Sequence, residues 1–362
     1  MKRTGIKLFL GLVLIILFIF ILDYILPVKI VEIKELSKKE IDFPENINSY
    51  FVSYDIYTSF SNLSTADKLD VLKGMDKNNI SVSMVTDCNS GSSSLEGIYR
   101  DKVILSKCSV KNGNVNFSNF SVIPFGKEVK DLKPNQCKEI LNFTKSLEFN
   151  ITDFPKIFKF FIWYPFNKEK AYENLKSYAK IEESFTDYDP QKITCVLGGV
   201  GAYSRIKTAN ENGKNLILDF NYLLGMVKNK IYTTDILSMN LQKNKEIVFN
   251  ALKNGNNIIY LTDKDFDMDI FVKGITKNYL LGNVVDLSEK PVIHLKVNGE
   301  NLYTSVLLNG KVSSNYSAGS LKITPKNSSS YTFIVYRYKM RLPFNILLGV
   351  SPVAVTNPIY FQ

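Results

Sequence analysis

Phe51-Val-Ser-Tyr-Asp-Ile56 is the stretch from which the fold prediction starts, because β-branched and aromatic residues in such a run are typical of a strand. Ser64 can cap a following helix, which apolar residues at helical spacing predict over about residues 65–78. Residues 80–86 predict a second strand. A strand, a helix and a strand in succession favour an α/β fold with parallel strands.

Similar patterns extend this prediction along the chain. Further strands are predicted at residues 102–105, 160–163 and 193–197, and further helices at about residues 134–148, 168–180 and 244–253. From about residue 291 the pattern changes to short strands, with hairpin turns predicted at Asn298-Gly299 and Asn309-Gly310. We therefore predict four regions: a cytoplasmic tip with a membrane helix (1–27), a stalk (28–48), an α/β domain (49–288) and a small β-sandwich (289–362).

The N-terminus contains a membrane-anchor signal. Residues 8–22 are an unbroken apolar run, which Ile25 and Leu26 extend, and a membrane-spanning helix needs roughly 20 residues. Basic residues precede the run, and no small-residue cleavage pattern follows it. We expect a single-pass signal-anchor in the cell membrane, with the N-terminus in the cytoplasm and the bulk of the chain outside. A cleaved signal peptide is the alternative.

Charge and cysteine content restrict the partners and the compartment. Without the three basic residues and one acidic residue of the anchor region, the net charge of +10 becomes +8. Such a surface would attract anionic lipid or an anionic cell-envelope polymer, although solubility alone could explain it. No dense basic block with interleaved aromatic residues occurs, which argues against nucleic acid. Four cysteines can form disulfides in an oxidising compartment, and three complete pairings are possible.

Six parts of the chain carry a recognisable order of motifs. They are residues 55–62 (Asp-Ile-Tyr-Thr-Ser-Phe-Ser-Asn), 85–89 (Val-Thr-Asp-Cys-Asn), 103–114 (a strand ending at Cys108, then Asn-Gly-Asn), 163–165 (Trp-Tyr-Pro), 198–204 (Gly-Gly-Val-Gly-Ala-Tyr-Ser) and 357–360 (Asn-Pro-Ile-Tyr). In this order they resemble the motifs of the PHP family (polymerase and histidinol phosphatase), in particular its membrane-associated CehA type. The resemblance covers about residues 48–362.

The resemblance implies a fold and a chemistry. The implied fold is α/β, a distorted TIM-like β/α barrel with the N-terminal transmembrane helix before it and a small C-terminal β-sandwich after it. Members of the family hold divalent metals such as zinc, manganese or iron at the strand ends, where the metals generate hydroxide and polarise a phosphoester.

The family's metal-ligand positions have changed throughout this chain. The resemblance places the vestigial site at Asp55, Tyr57, Asn62, Asp87, Cys88, Cys108, Asn114, Tyr164, Gly201 and Tyr203. Neutral asparagine, glycine and protonated tyrosine do not compensate the charge of a cation. The chain has a single histidine, His294, which lies in the predicted β-sandwich. We therefore expect no catalytic residue and no bound metal cofactor.

Several of these positions allow more than one interpretation. Cys88 and Cys108 could form a disulfide, remain separate buried thiols, or build a new zinc site with Asp55. The tyrosines of the vestigial site could line an aromatic pocket or simply fill space. Arg205 and Lys207 could bind an anion or lie on a solvated loop. We interpret His294 as a surface or edge residue.

The sequence therefore predicts a membrane-anchored, extracytoplasmic, PHP-like protein without its metals. The favoured hypothesis is a non-catalytic module that binds an anionic envelope component or a protein partner. The alternative is a divergent metal-dependent hydrolase of the phosphoesterase class with a rebuilt metal centre. A structural envelope protein without a small-molecule pocket is a third hypothesis.

Overall fold

The computed structural model describes Gly11, Val13, Leu14, Leu17, Ile21, Ile25 and residues 28–36, 41–61, 64, 66–89, 91–118, 120–127, 135–143, 154–176, 195–202, 219–261 and 265–362. Strands dominate these residues. The helices of this part of the chain are α1 (Lys68–Lys77), α2 (Phe154–Trp163), α3 (Lys168–Lys176), α4 (Phe220–Leu223) and α5 (Leu241–Lys253).

The strands of the N-terminal and middle parts are β1 (Val28–Ile30), β2 (Asn48–Ile56), β3 (Val82–Val85), β4 (Gly97–Tyr99), β5 (Lys102–Leu105), β6 (Ser109–Lys111), β7 (Asn114–Phe117), β8 (Phe120–Ile123), β9 (Gln136–Asn142), β10 (Val196–Gly199), β11 (Val227–Thr233) and β12 (Asn257–Leu261). Those that follow are β13 (Asp267–Lys273), β14 (Asn278–Tyr279), β15 (Val284–Val285), β16 (Val292–Asn298), β17 (Leu302–Leu308), β18 (Lys311–Ser317), β19 (Gly319–Ile323), β20 (Ser329–Arg337), β21 (Met340–Leu342), β22 (Ile346–Leu348), β23 (Ser351–Thr356) and β24 (Ile359–Phe361).

The predicted TIM-like barrel is wrong. β2, β3 and β5 are parallel, but β11 and β12 continue the same sheet in antiparallel orientation. That sheet has 12 strands, in the order β15-β24-β20-β23-β12-β11-β2-β3-β5-β4, with β17 paired to β20 and β18 to β17. A β/α barrel needs a covering helix after each parallel strand, whereas β5 to β8 are joined by short turns.

The predicted separate β-sandwich is wrong as well. β23 pairs with β12, so the C-terminal strands extend the main sheet across the proposed boundary at residue 289. β16 pairs with β13 on one side and β19 on the other, in a four-stranded sheet of order β14-β13-β16-β19. Asn309-Gly310 forms the predicted hairpin between β17 and β18. Asn298-Gly299 instead leads from one sheet to the other, so that hairpin prediction is wrong.

Two local predictions are reversed and two are close. The predicted helix at 134–148 contains strand β9, and the predicted strand at 160–163 is the end of helix α2. α1 begins with a capping box between Asp67 and Asp70, three residues later than predicted. α5 ends just before Gly255, whose φ of 69° suits the predicted C-terminal glycine.

The predicted stalk packs on the folded part of the chain. β1 pairs with β22, Ile33 is buried, and the Phe43 ring lies 5.4 Å from that of Phe271. Most of the predicted membrane helix lies outside the described residues, although those of its residues that are described are helical. Among the helices that the structure describes, none has the length and apolar character required to cross a bilayer.

Candidate functional site

Two groups of parallel strands meet at the end of β2. β8, β9 and β10 form one parallel group. The residues that follow β10 hydrogen-bond to the last residues of β2. Val200 N donates to the Tyr54 carbonyl at 2.9 Å, and Ala202 N to the Asp55 carbonyl at 3.0 Å. The carboxyl ends of β2, β3, β9 and β10 therefore converge, which is where ligands bind in parallel sheets.

Asp55 is the centre of this convergence. It has a φ of 64°, and the register between β2 and β3 shifts at this residue, so it forms a β-bulge. A bulge turns a side chain out of the alternation of the strand, and the Asp55 side chain is 3% exposed. Its Oδ1 accepts a hydrogen bond from Thr86 Oγ1 at 3.1 Å.

A second buried carboxylate, Glu139, lies beside Asp55. The side chain of Asn142 joins the two, because its Nδ2 donates to Asp55 Oδ2 at 2.5 Å and to Glu139 Oε1 at 2.8 Å. Glu139 Oε2 accepts from Phe125 N at 2.9 Å. A Cβ at position 199 would lie 1.7 Å from Glu139 Oε1. Gly199 is therefore required for Glu139 to reach this position.

Asp87 supplies a third carboxyl group at the end of β3. Its Oδ2 accepts from the backbone N of Thr58 at 2.7 Å and from the Thr58 hydroxyl, while its buried Oδ1 has no partner within the described part of the chain. Burial raises the pKa of Asp87 above its ordinary value of 3.8, although the bonds from Thr58 oppose this shift. Burial, and then the charge of Asp55, also raise the pKa of Tyr57, so Tyr57 stays protonated.

The cysteines form two disulfides, Cys88–Cys108 and Cys137–Cys195. The first joins the two positions for which the sequence left three interpretations open. The rebuilt zinc site of Asp55, Cys88 and Cys108 is therefore wrong in this state, because a disulfide sulfur is not a thiolate ligand. In the described ranges, no three histidine, cysteine, aspartate or glutamate side chains are arranged to hold a metal ion.

Of the other predicted positions, Gly201 lies beside Asp55, Asn114 and Tyr164 lie elsewhere, and the rest fall outside the described residues. Gly201 lies at the junction of β10 with β2, with a φ of 58°. Asn114 Oδ1 accepts from Lys127 Nζ at 2.8 Å on the β7 side. Tyr164 packs on Phe160, and burial raises its pKa to about 12. Asn62, Tyr203, Arg205 and Lys207 lie outside the described residues.

A basic face lies elsewhere, on the outer side of the four-stranded sheet. Its members are His294 and Lys296 on β16, Lys273 on β13 and Lys322 on β19. No carboxylate of the described chain forms an ion pair with these lysines. His294 is half-buried on a central strand, not at an edge, and it stacks on Phe271 with ring centroids 4.8 Å apart. Burial, Lys322 and Lys273, in that order, lower the pKa of His294.

One end of the basic face opens into a cavity of about 290 Å³. The segment before β2 contributes to the lining of this cavity, whose residues are Ile41, Asp42, Phe43, Asp269, Phe271, His294 and Lys296. Asp269 is already paired, because its Oδ1 accepts from Lys230 Nζ at 2.8 Å. Lys296 contributes a positive charge to the lining from β16.

Sequence reasoning missed Glu139, Asn142 and Thr86. The first two lie in the segment predicted to be a helix, in which they would be only one turn apart and far from β2. The one available signal was Cys137, because its pairing with Cys195 aligns β9 with β10. Searches of protein-family models, of curated proteins and of solved structures each find no match to this chain.

Proposed function

We propose that the chain is a membrane-anchored, extracytoplasmic binding module without metal-dependent catalysis. Two features support the compartment. The apolar run at residues 8–22 follows Lys2, Arg3 and Lys7, which favours a cytoplasmic N-terminus. All four cysteines are in disulfides, which persist in oxidising compartments.

One observation carries the proposal that the site is not catalytic. The Asn142 amide occupies the space between Asp55 and Glu139, where a cation would otherwise hold two carboxylates together. An amide satisfies both oxygens without adding charge. The disulfide between Cys88 and Cys108 leaves neither sulfur of these two positions as a thiolate ligand. We therefore interpret the Asp55–Asn142–Glu139 contacts as a structural element of the fold.

The basic face supports an anionic ligand. Lys273 and Lys322 are exposed and Lys296 is half-buried, and the charges of Lys322 and Lys273 both act on His294. Unpaired lysines on one sheet face create a positive potential that concentrates anions. We therefore favour an anionic cell-envelope polymer, with phosphate or carboxylate groups, over a protein partner.

The absence of catalysis is tested on the full chain in detergent. After dialysis with zinc, manganese or iron, we expect less than stoichiometric metal by elemental analysis and no turnover of a generic phosphodiester. Asn142→Asp, which would place a third carboxylate beside Asp55 and Glu139, is the matched variant in which metal binding should appear. Stoichiometric metal with turnover in the unsubstituted chain would instead establish the divergent hydrolase.

Ligand binding is tested with inorganic polyphosphate as the probe. Each lysine near an anionic surface contributes about 1 kcal/mol. Lys273→Ala with Lys322→Ala should therefore weaken binding about 30-fold, and added salt should weaken the binding of the unsubstituted chain. The control is Lys107→Ala with Lys111→Ala, which removes the same charge from exposed positions at the β6 side. An equal loss in both double variants would contradict a specific basic face.

A further inference from the structure

The three-stranded sheet β1-β22-β21 has one entirely apolar face. Directly opposed residues of an antiparallel pair share a face, and the registers place two rows on this one: Val28, Leu348 and Met340, then Ile30, Ile346 and Leu342. The opposite face holds Lys29, Leu347 and Arg341, and its central residue, Leu347, is fully buried in the core. The apolar face is thus the outer one, the reverse of the usual arrangement.

The two edge strands of this face are exposed, whereas Leu348 on the central strand is buried. Ile30 is 78% exposed, Val28 44%, Met340 42% and Leu342 37%. At the turn between β21 and β22, Phe344 is 89% exposed and has a φ of 61°. That backbone region favours glycine and asparagine and is an outlier for a bulky residue. Neither the turn nor the core therefore accounts for a phenylalanine at this position.

The sheet also lies directly beside the proposed anchor. β1 begins two residues after Leu26, the end of the apolar run, and an extended residue spans at most about 3.6 Å. The Ile25 carbonyl accepts from Gly349 N at 3.0 Å, immediately after β22. The start of β1 therefore lies within about 7 Å of the end of the apolar run. Leu14, Leu17 and Ile21 of the anchor expose their side chains as well.

We propose that this apolar face docks on the outer surface of the bilayer that holds the anchor, with Phe344 inserted at the headgroup level. Aromatic side chains are favoured at the membrane interface, and a contiguous exposed apolar patch of this kind marks an interaction surface. Docking would hold the folded part of the chain against the membrane in one orientation. The inference rests on the proposed membrane anchor, but not on the proposed ligand.

The experiment uses the full chain in phosphatidylcholine vesicles with or without brominated acyl chains, which quench tryptophan on contact. Trp163→Phe removes the single tryptophan, and Phe344→Trp introduces a reporter at the turn. Ile30→Trp is a second reporter on β1, in case the turn variant does not fold. The control is Met239→Trp, an 81% exposed position before α5, beyond the amino end of β2.

We expect brominated lipid to remove most of the emission of the reporters at 344 and 30 and none of that at 239. Vesicle-bound chain with unquenched, solvent-like emission at 344 and 30 would overturn the docking but leave the anchor intact. A blue-shifted, unquenched reporter whose emission depends on protein concentration would overturn docking on the bilayer. It would show instead that the apolar face contacts a second copy of this chain. Chain that does not float with the vesicles would overturn the anchor itself.

Discussion

The Asn142→Ala substitution tests the central contact of the buried carboxylate cluster. In the native chain one amide nitrogen serves both Asp55 and Glu139, whose side chains are 3% and 1% exposed. Alanine removes both donated hydrogen bonds and opens a space too small to hydrate the two carboxylates well. We therefore expect a loss of stability.

The magnitude follows from the two hydrogen bonds that are lost, at 2.5 Å and 2.8 Å. A hydrogen bond to a charged group contributes about 1.5–3 kcal/mol. Asn142→Ala removes two such bonds, so after partial relaxation of the site we expect it to lower the free energy of unfolding by about 3–5 kcal/mol.

The assay is urea-induced unfolding of the full chain in detergent, followed by circular dichroism. Asn116→Ala is the matched control, because Asn116 Nδ2 also donates two hydrogen bonds, to the carbonyls of Ser109 and Asn114. Those acceptors are neutral, so the control should lose about 1 kcal/mol or less. Equal losses in the two variants would refute the reasoning about paired carboxylates.

Three further predictions concern the same site and the basic face. Gly199→Ala should lower the free energy of unfolding by about 1–3 kcal/mol, because its methyl group would overlap Glu139; an unchanged melting temperature would contradict this. The raised pKa of Asp87 means that the carboxyl group stabilises the fold at low pH and loses that contribution as the pH rises above 3.8 and through the folded-state pKa. Asp87→Asn should therefore remove part of the decline in melting temperature over that range, and an unchanged slope would argue against it. His294, the single histidine, should titrate below pH 6.5 by NMR, and Lys322→Ala should raise its midpoint; a native midpoint at or above 6.5 would count against the basic face.

Local features of the sequence predicted local structure well. The capping and helical spacing around α1, the glycine after α5 and the Asn309-Gly310 turn involve residues within a few positions of one another. β2 and β3 were predicted because their runs of apolar residues are buried whatever they pair with. These local signals do not depend on which distant strands pair with one another.

The extension from local elements to a barrel failed for a physical reason. A buried strand has the same composition whether its neighbour is parallel or antiparallel, so periodicity could not reveal that β11 and β12 reverse direction. β9 has the apolar residues of a short helix, and only its pairing between β8 and β10 makes it a strand. The pairing of β12 with β23 within one sheet likewise joins segments that the sequence separates into two domains.

By itself, the sequence determined the apolar N-terminal run, the four cysteines, the positive charge and the scarcity of histidine, because these are properties of composition and order along the chain. Tertiary structure alone decided that Asn142 reaches Asp55 across 87 positions, that Cys88 bonds to Cys108, and that β1 and the β21–β22 turn share one apolar face. Such contacts depend on sheet order and register, which are set by the packing of the whole core and leave no local signal in the segments that they join.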